Sequence, residues 1–350
     1  MAVSLPIALA ERGLVPDALI RWGIRRLVRQ RLKDLPPLNG HALEDAVPAF
    51  IAQMHEAPIA LMTDKANEQH YEVPAAFYAQ VLGPHKKYSG CLFESSATSL
   101  GEAEQRALEV TAEHAALADG QTILELGCGW GSLSLWMAER YPHSQILGVS
   151  NSNSQRESIL ATARERGLSN LDIVTCDMNH FEPGSHFDRI VSVEMFEHMR
   201  NWPRLMQRVA DWLTPDGRFF LHVFTHEGAP YLFEVADASD WMSQYFFSGG
   251  IMPSRDLAPR IPAPLLLEAE WTWSGKHYEA TANAWLRNLD QHRSTLLPIL
   301  EDTYGEREAL RWFHRWRLFF MACAELFGYH DGKEWPIGHY RFRRKDPGDL

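Results

Sequence analysis

Cysteine is scarce in this 350-residue chain: Cys91, Cys128, Cys176 and Cys323 are widely scattered, and no two stand at the spacing of a zinc site or a redox pair. That scatter argues against a disulfide framework or a cysteine-held metal, so no metal is expected and a reducing cytoplasm is the expected location. No apolar run approaches the roughly 18 residues of a membrane span. The opening Met-Ala-Val-Ser-Leu-Pro has no basic start, and Glu11 and Arg12 interrupt the apolar stretch that follows, so a signal peptide is not expected. A surplus of positive charge is missing as well. The formal net charge is -11, which argues against nucleic acid as the main partner, because counterion release needs a basic face. Internal repeats and low-complexity tracts are absent.

What is present is an ordinary globular balance, 45% hydrophobic and 23% charged, with an unusual load of twelve Trp and seventeen Phe. Such aromatic surface builds core, and it also builds pockets for apolar or cationic ligands. The length exceeds the roughly 250–300 residues at which single cores stop growing, so a catalytic domain with an appendage is expected. Arg21, Arg25, Arg26, Arg29, Arg31 and Lys33 crowd a segment in which Ile20, Ile24, Leu27, Val28 and Leu32 recur at helical spacing. This basic amphipathic helix over 20–33 has two readings, a docked helix with a solvated face or a peripheral contact with anionic lipid or a partner.

Residues 1–80 read as a helical appendage, with Pro36-Pro37 and Asn39-Gly40 as punctuation. Helix and strand then alternate. Strands are predicted at 122–126, 145–149, 171–175, 188–193 and 218–223, with helices over 101–118, 131–141, 154–167 and 203–213. This rhythm predicts a doubly wound, mostly parallel sheet. Residues 229–265, with Gly249-Gly250 and many aromatics, interrupt it as an inserted cover. A strand at 266–273, helices at 279–300 and 304–327 and a strand at 337–344 close a domain expected to run over 81–350.

Glu125-Leu126-Gly127-Cys128-Gly129-Trp130-Gly131 falls between the first strand and its helix, where glycine lets backbone approach a nucleotide-like ligand. A dinucleotide site would place its third glycine one residue later and an acid after the second strand, which here ends Val149-Ser150-Asn151-Ser152. Glu125 instead suits the amino end of S-adenosylmethionine, and Asp177, in Cys176-Asp177-Met178, is placed to hold its adenine. That is the general methyltransferase layout. After the fourth strand, Glu194, Glu197 and His198 would share a face if the segment were helical. Such a group can merely cap or pair on a solvated helix. Its functional reading is that the imidazole deprotonates an amine while carboxylates bind the ammonium and orient the ring.

Tyr88-Ser89-Gly90-Cys91, the glycine loop, Ser150-Asn151-Ser152 with Gln155, the run Glu194 to Met199, Trp273 to Tyr278, Gly328-Tyr329 and Glu334-Trp335 together resemble the plant coclaurine N-methyltransferases. Those enzymes share a superfamily with cyclopropane fatty acid synthases, and the likeness runs from about residue 10 to 345. It implies a class I, Rossmann-like, seven-stranded methyltransferase that uses S-adenosylmethionine. Tyr88, Ser89, Gly127, Gly129, Asn151, Gln155 and Asp177, with Glu125, Gly131, Ser150 and Met178, would surround the cofactor. Glu194, Glu197 and His198 would match the catalytic triplet, and a small amine would be the acceptor. A homodimer is allowed.

Cyclopropane synthases hold a bicarbonate with a Cys after the Tyr-Ser pair, a Glu, a His and a Tyr, and usually carry Gly at the first carboxylate. Here Gly90 stands at the Cys position, Glu194 at the Gly, and Glu197, His222 and Tyr278 at the others. Two departures thus point to an amine, with alkene methylation as the alternative should Cys91 take the vacant place. The basic helix would suit the lipid reading. His222 and Tyr278, with Trp241, Tyr245 and Phe246, are expected at the substrate; Phe247, Trp271 and Trp273 are further candidates to line its pocket.

Overall fold

A computed structural model of the chain describes residues 5–35, 41–61, 73–234 and 241–345. The Pro36-Pro37 and Asn39-Gly40 punctuation and residues 235–240 of the expected cover lie outside the described residues. The chain opens with α1 (Leu5–Ala10), α2 (Asp17–Asp34), α3 (His41–His55) and α4 (Ala75–Val81). Next comes α5 (Leu100–His114), whose start is fixed by a capping box in which Ser99 and Glu102 bond each other's backbone amides.

From there strand and helix alternate: β1 (Thr122–Leu126), α6 (Ser132–Arg140), β2 (Gln145–Ser150), α7 (Asn153–Glu165), β3 (Leu171–Thr175), β4 (Phe187–Val193), α8 (Trp202–Trp212) and β5 (Leu213–Phe224). Residues 229–265, the expected cover, contain β6 (Tyr231–Leu232), α9 (Trp241–Tyr245), β7 (Ile251–Met252) and α10 (Leu257–Arg260). The chain ends with β8 (Leu265–Trp273), α11 (Gly275–Gln291), α12 (Arg293–Tyr304), α13 (Glu306–Phe327) and β9 (Ile337–Arg344). The single helix expected over 279–300 is two, broken at His292, whose φ of -96° and ψ of 18° leave helical geometry.

Seven strands form one sheet in the order β3-β2-β1-β4-β5-β9-β8, parallel through β5 and antiparallel at β9 and β8. Buried runs such as Ile123 to Leu126 are what a strand covered on both faces needs. The order reverses at β1, so the carboxyl ends of β1, β2 and β4 frame the crevice where doubly wound sheets bind ligands.

The aromatic surplus is mostly packing. Trp202, Trp285, Trp316 and Trp335 are fully buried, and α13 carries Trp316, Phe319 and Phe320 into a ring lattice with Phe77, Trp285 and Phe246. The basic helix α2 docks on α13 through Arg21 and Arg25, which both bond Glu325, while Arg317 of α13 returns to Asp17 and holds that carboxyl below its ordinary range. Just past α1, Glu11 is buried and accepts from Trp241 Nε1 at 2.9 Å and Arg315 Nε at 3.0 Å. Arg315 in turn lies 4.2 Å over the Tyr245 ring and 4.8 Å over Trp312.

Candidate active site

Beyond Leu126 the chain turns through the glycine loop, and Gly127 and Gly129 have φ of 79° and 52°. A Cβ at Gly127 would fall 2.5 Å from Met195 Cγ, whereas at Gly129 nothing lies within 4 Å. One glycine thus admits the segment after β4, and the other leaves open space above the strand ends. Glu125, buried beneath the loop, accepts a hydrogen bond from Ser134, and burial pushes its carboxyl up to about 7.

The segment after β4 is not one helix. Glu194 has φ of 51°, and only Phe196–His198 form a single 3-10 turn, so the three candidate side chains diverge instead of sharing a face. Glu194 Oε1 accepts from the Gly90 amide at 2.8 Å and pairs with His222 Nε2 at 3.2 Å, while Oε2 accepts from the Tyr278 hydroxyl at 2.7 Å. Burial raises this carboxyl above its ordinary range, against the Lys87 charge and the bonds from Gly90 and Tyr278. Glu197 is fully buried and accepts from the Phe224 amide at 2.8 Å through Oε1, while its Oε2 has no partner among the described residues. Burial first, and the Glu194 charge second, push it well above the carboxylate range. The His198 ring rests against Phe247 with centroids 4.3 Å apart.

These elements border one cleft. Tyr88, Ser89, Glu125, Gly127, Gly129, Ser150, Asn151, Gln155, Met178, Glu194, His198 and Tyr278 line it, as does Phe247. Several expected residues do not. Asp177 accepts from the Asn179 amide at 2.8 Å instead, and Gly131 packs against Ile159. His222 sits behind Glu194 and reaches the cleft only through that carboxylate. Trp241 and Tyr245 are held by Glu11 and Arg315, because a buried indole N–H needs an acceptor and the Tyr245 face is already taken by a cation; Phe246 is stacked on Phe319. Trp271 stacks on His114 and Trp273 leans on His339. Cys91 does not enter the vacant place: its Sγ faces Ser89 O, it is fully buried, and burial pushes the thiol to about 12.

Sequence reasoning missed others on the wall. Lys87, nearly buried, donates to Ser89 Oγ at 2.5 Å and Gly90 O at 2.7 Å, fixing the loop that carries the Gly90 amide. Its place directly before Tyr88-Ser89 was the available signal. Thr111 Oγ1, Trp130 Nε1 and Ser132 Oγ are buried on the same wall with no hydrogen-bond partner among the described residues.

The model of the mycolic acid cyclopropane synthetase family matches residues 61–333. The chain belongs to this family. Within it, the chain is 34% identical to the (S)-coclaurine N-methyltransferase of Thalictrum flavum subsp. glaucum, over 96% of this chain and 94% of that one. It is 29% identical to the cyclopropane-fatty-acyl-phospholipid synthase of Escherichia coli (strain K12), over 77% of this chain and 66% of that one. A crystal structure of coclaurine N-methyltransferase bound to N-methylheliamine and SAH superposes with a TM-score of 0.93 at 33% identity, covering 96% of this chain and 98% of that one. The cyclopropane synthase MmaA2 of Mycobacterium tuberculosis shares the fold, with a TM-score of 0.68 at 22% identity over 81% of this chain and 98% of that one. Family members of the alkaloid N-methyltransferase group thus match the chain over nearly its whole length.

Proposed function

We propose that this chain transfers a methyl group from S-adenosylmethionine to the amine nitrogen of a small aromatic or alkaloid-like acceptor of the tetrahydroisoquinoline type. The observation that carries the reading is the Glu194 carboxylate, held on the cleft wall by the Gly90 amide and the Tyr278 hydroxyl. An amine arrives mostly as its ammonium ion at neutral pH and must lose a proton before its lone pair can attack. A fixed carboxylate of raised proton affinity both attracts that cation and takes the proton, with His198 on the same wall as the second candidate base. Phe224, Phe247, Phe319 and Trp285 supply aromatic wall for a flat cationic ring system.

The residues fit the cofactor. Bound, S-adenosylmethionine supplies an electrophilic methyl group on its sulfonium. The Thr111, Trp130 and Ser132 atoms left without a partner among the described residues are suited to its polar groups, Glu125 to its amino group, and Asn151 and Gln155 line the same cleft. The same Glu194 carboxylate weakens the alkene reading. A Cβ at Gly90 would lie 3.3 Å from Tyr278 Cδ1, a tight approach, and in ordinary contact with Glu194 Oε1 at 3.5 Å, so a side chain at this position would meet the Tyr278 ring and stand against the carboxylate. The test is S-adenosylhomocysteine release measured in parallel on tetrahydroisoquinoline amines and on vesicles of unsaturated phospholipid. Turnover on the amines alone is expected; turnover on vesicles alone overturns the reading.

A peripheral lipid contact has separate support. Leu5, Leu14, Leu19, Trp22 and Leu27 are five of the seven exposed large hydrophobics among the described residues, and Arg26, Arg29 and Lys33 are exposed beside them. This combination suits an anionic bilayer surface. Co-sedimentation with phosphatidylserine vesicles at low salt is expected, weakening as salt rises and lost in Trp22→Glu. Equal recovery in the supernatant with and without vesicles sinks the idea.

A further inference from the structure

A row of imidazoles leads from the Glu194 carboxylate to the far edge of the sheet. Val193 of β4 is opposite His222 of β5, His222 is opposite His339 of β9, and His339 is opposite Trp271 of β8. Residues directly opposite on paired strands share a sheet face, so the register alone places these rings side by side. Glu194 pairs with His222 Nε2 at 3.2 Å, the His222 and His339 rings lie 4.4 Å apart between centroids, and His339 Nδ1 meets His114 Nδ1 at 2.9 Å. His114, at the end of α5, is half-buried and stacked on Trp271 with centroids 3.8 Å apart. His222 and His339 are both 0% exposed. Each keeps one nitrogen, Nδ1 of His222 and Nε2 of His339, without a partner among the described residues.

We infer that His222, His339 and His114 form a proton relay that carries the proton released at Glu194 through the sheet to solvent, away from the cleft mouth. The inference rests on the amine reading. An ammonium acceptor and a sulfonium methyl donor give a methylated ammonium, a neutral thioether and one proton, and that proton must leave the cleft each turnover. The balance is closed. Once Glu194 has taken the proton from the acceptor nitrogen, His222 in its Nδ1–H tautomer accepts it on Nε2; Nδ1–H of that ring passes to His339 Nε2; Nδ1–H of His339 passes to His114 Nδ1; and Nε2–H of His114 goes to solvent. Each ring ends with the one proton it began with, on the other nitrogen, and rotation restores it.

The break in the row lies between the His222 and His339 rings, 4.4 Å apart between centroids, where each keeps a nitrogen without a partner among the described residues; closing it calls for reorientation of a ring about χ2, a broad torsion in histidine. Desolvation keeps His222 and His339 neutral, which leaves each ring one nitrogen to accept on and one to donate from. A merely structural stack has no use for two buried nitrogens left without partners.

The experiment uses the full-length enzyme at saturating cofactor and amine, with His339→Gln, His339→Leu and His114→Phe; the last keeps an aromatic ring on Trp271. Two acceptors are compared, one basic enough to bind as the ammonium and one so weakly basic that it binds as the free amine. For the basic acceptor, kcat is expected to fall about tenfold in each variant, with KM and Tm unchanged and the loss reversed by added imidazole. The weakly basic acceptor, which releases its proton after the methyl has moved and can carry it out as product, is expected to be spared. Unchanged kcat in His339→Leu and His114→Phe overturns the relay, as does a loss equal for both acceptors and indifferent to imidazole. Failure of the amine reading shows separately, as wild-type enzyme that turns over neither acceptor.

Discussion

Glu194→Gln is expected to lower kcat by ~10²–10³-fold, in the range of a lost general base, with little change in the KM for cofactor. Glutamine has the same shape: its one amide oxygen can accept from the Gly90 amide while its NH2 group donates to the Tyr278 oxygen, so the loop and the hydroxyl stay in place. It cannot take a proton. The wild-type kcat profile is expected to carry an acid limb above the ordinary carboxylate value of 4.5, because burial raises the Glu194 carboxyl. Activity is full above that limb and lost as pH falls through it, since the protonated acid is no base. Lys87, His222, Tyr278 and Glu197 all bear on its position. In the variant the limb disappears. A Glu194→Gln enzyme with wild-type kcat would remove this residue from proton transfer and leave His198 as the base.

The largest expected effect on stability is at Glu11→Ala, far from the chemistry. Removing this carboxylate strands the buried Arg315 guanidinium and the Trp241 indole N–H, both of which bond Glu11 Oε1. Breaking one partner of a buried pair costs ~3–5 kcal/mol, because the other charge stays desolvated. Thermal unfolding should show it as a drop of roughly 5–10 °C. The double variant Glu11→Ala with Arg315→Met should recover much of the loss, since no unpaired charge remains. If the single variant melts with the wild type, the pair is not the clasp between the N-terminal segment, α9 and α13 that its geometry describes.

Much of the sheet was legible in the sequence for identifiable reasons. Thr122–Leu126, Leu171–Thr175 and Ile337–Arg344 have the bounds predicted, because each is a strand-length run closed by a turn or a polar break. The break at His292 was not legible, since the helical period continues through it on both sides. At the cleft, backbone-driven features could be read: the glycine loop must follow β1, and Glu194 must follow β4. Side-chain direction could not. Trp241, Tyr245 and Phe246 look like pocket aromatics by composition, yet a charge pair and a ring lattice more than 60 residues away along the chain claim them. Glu194, Glu197 and His198 have helical spacing, but a left-handed residue sends them to three different neighbours.

That left-handed residue has a consequence for how the protein can change. A glutamate at φ 51° carries backbone strain that glycine at the same place would not, on the order of 1–2 kcal/mol. Its carboxylate is desolvated as well. Judged by folding alone, position 194 favours glycine, so under the proposed function the acidic side chain there is held by selection for proton transfer. A lineage released from that selection would drift at this position first, gaining stability as it lost its chemistry.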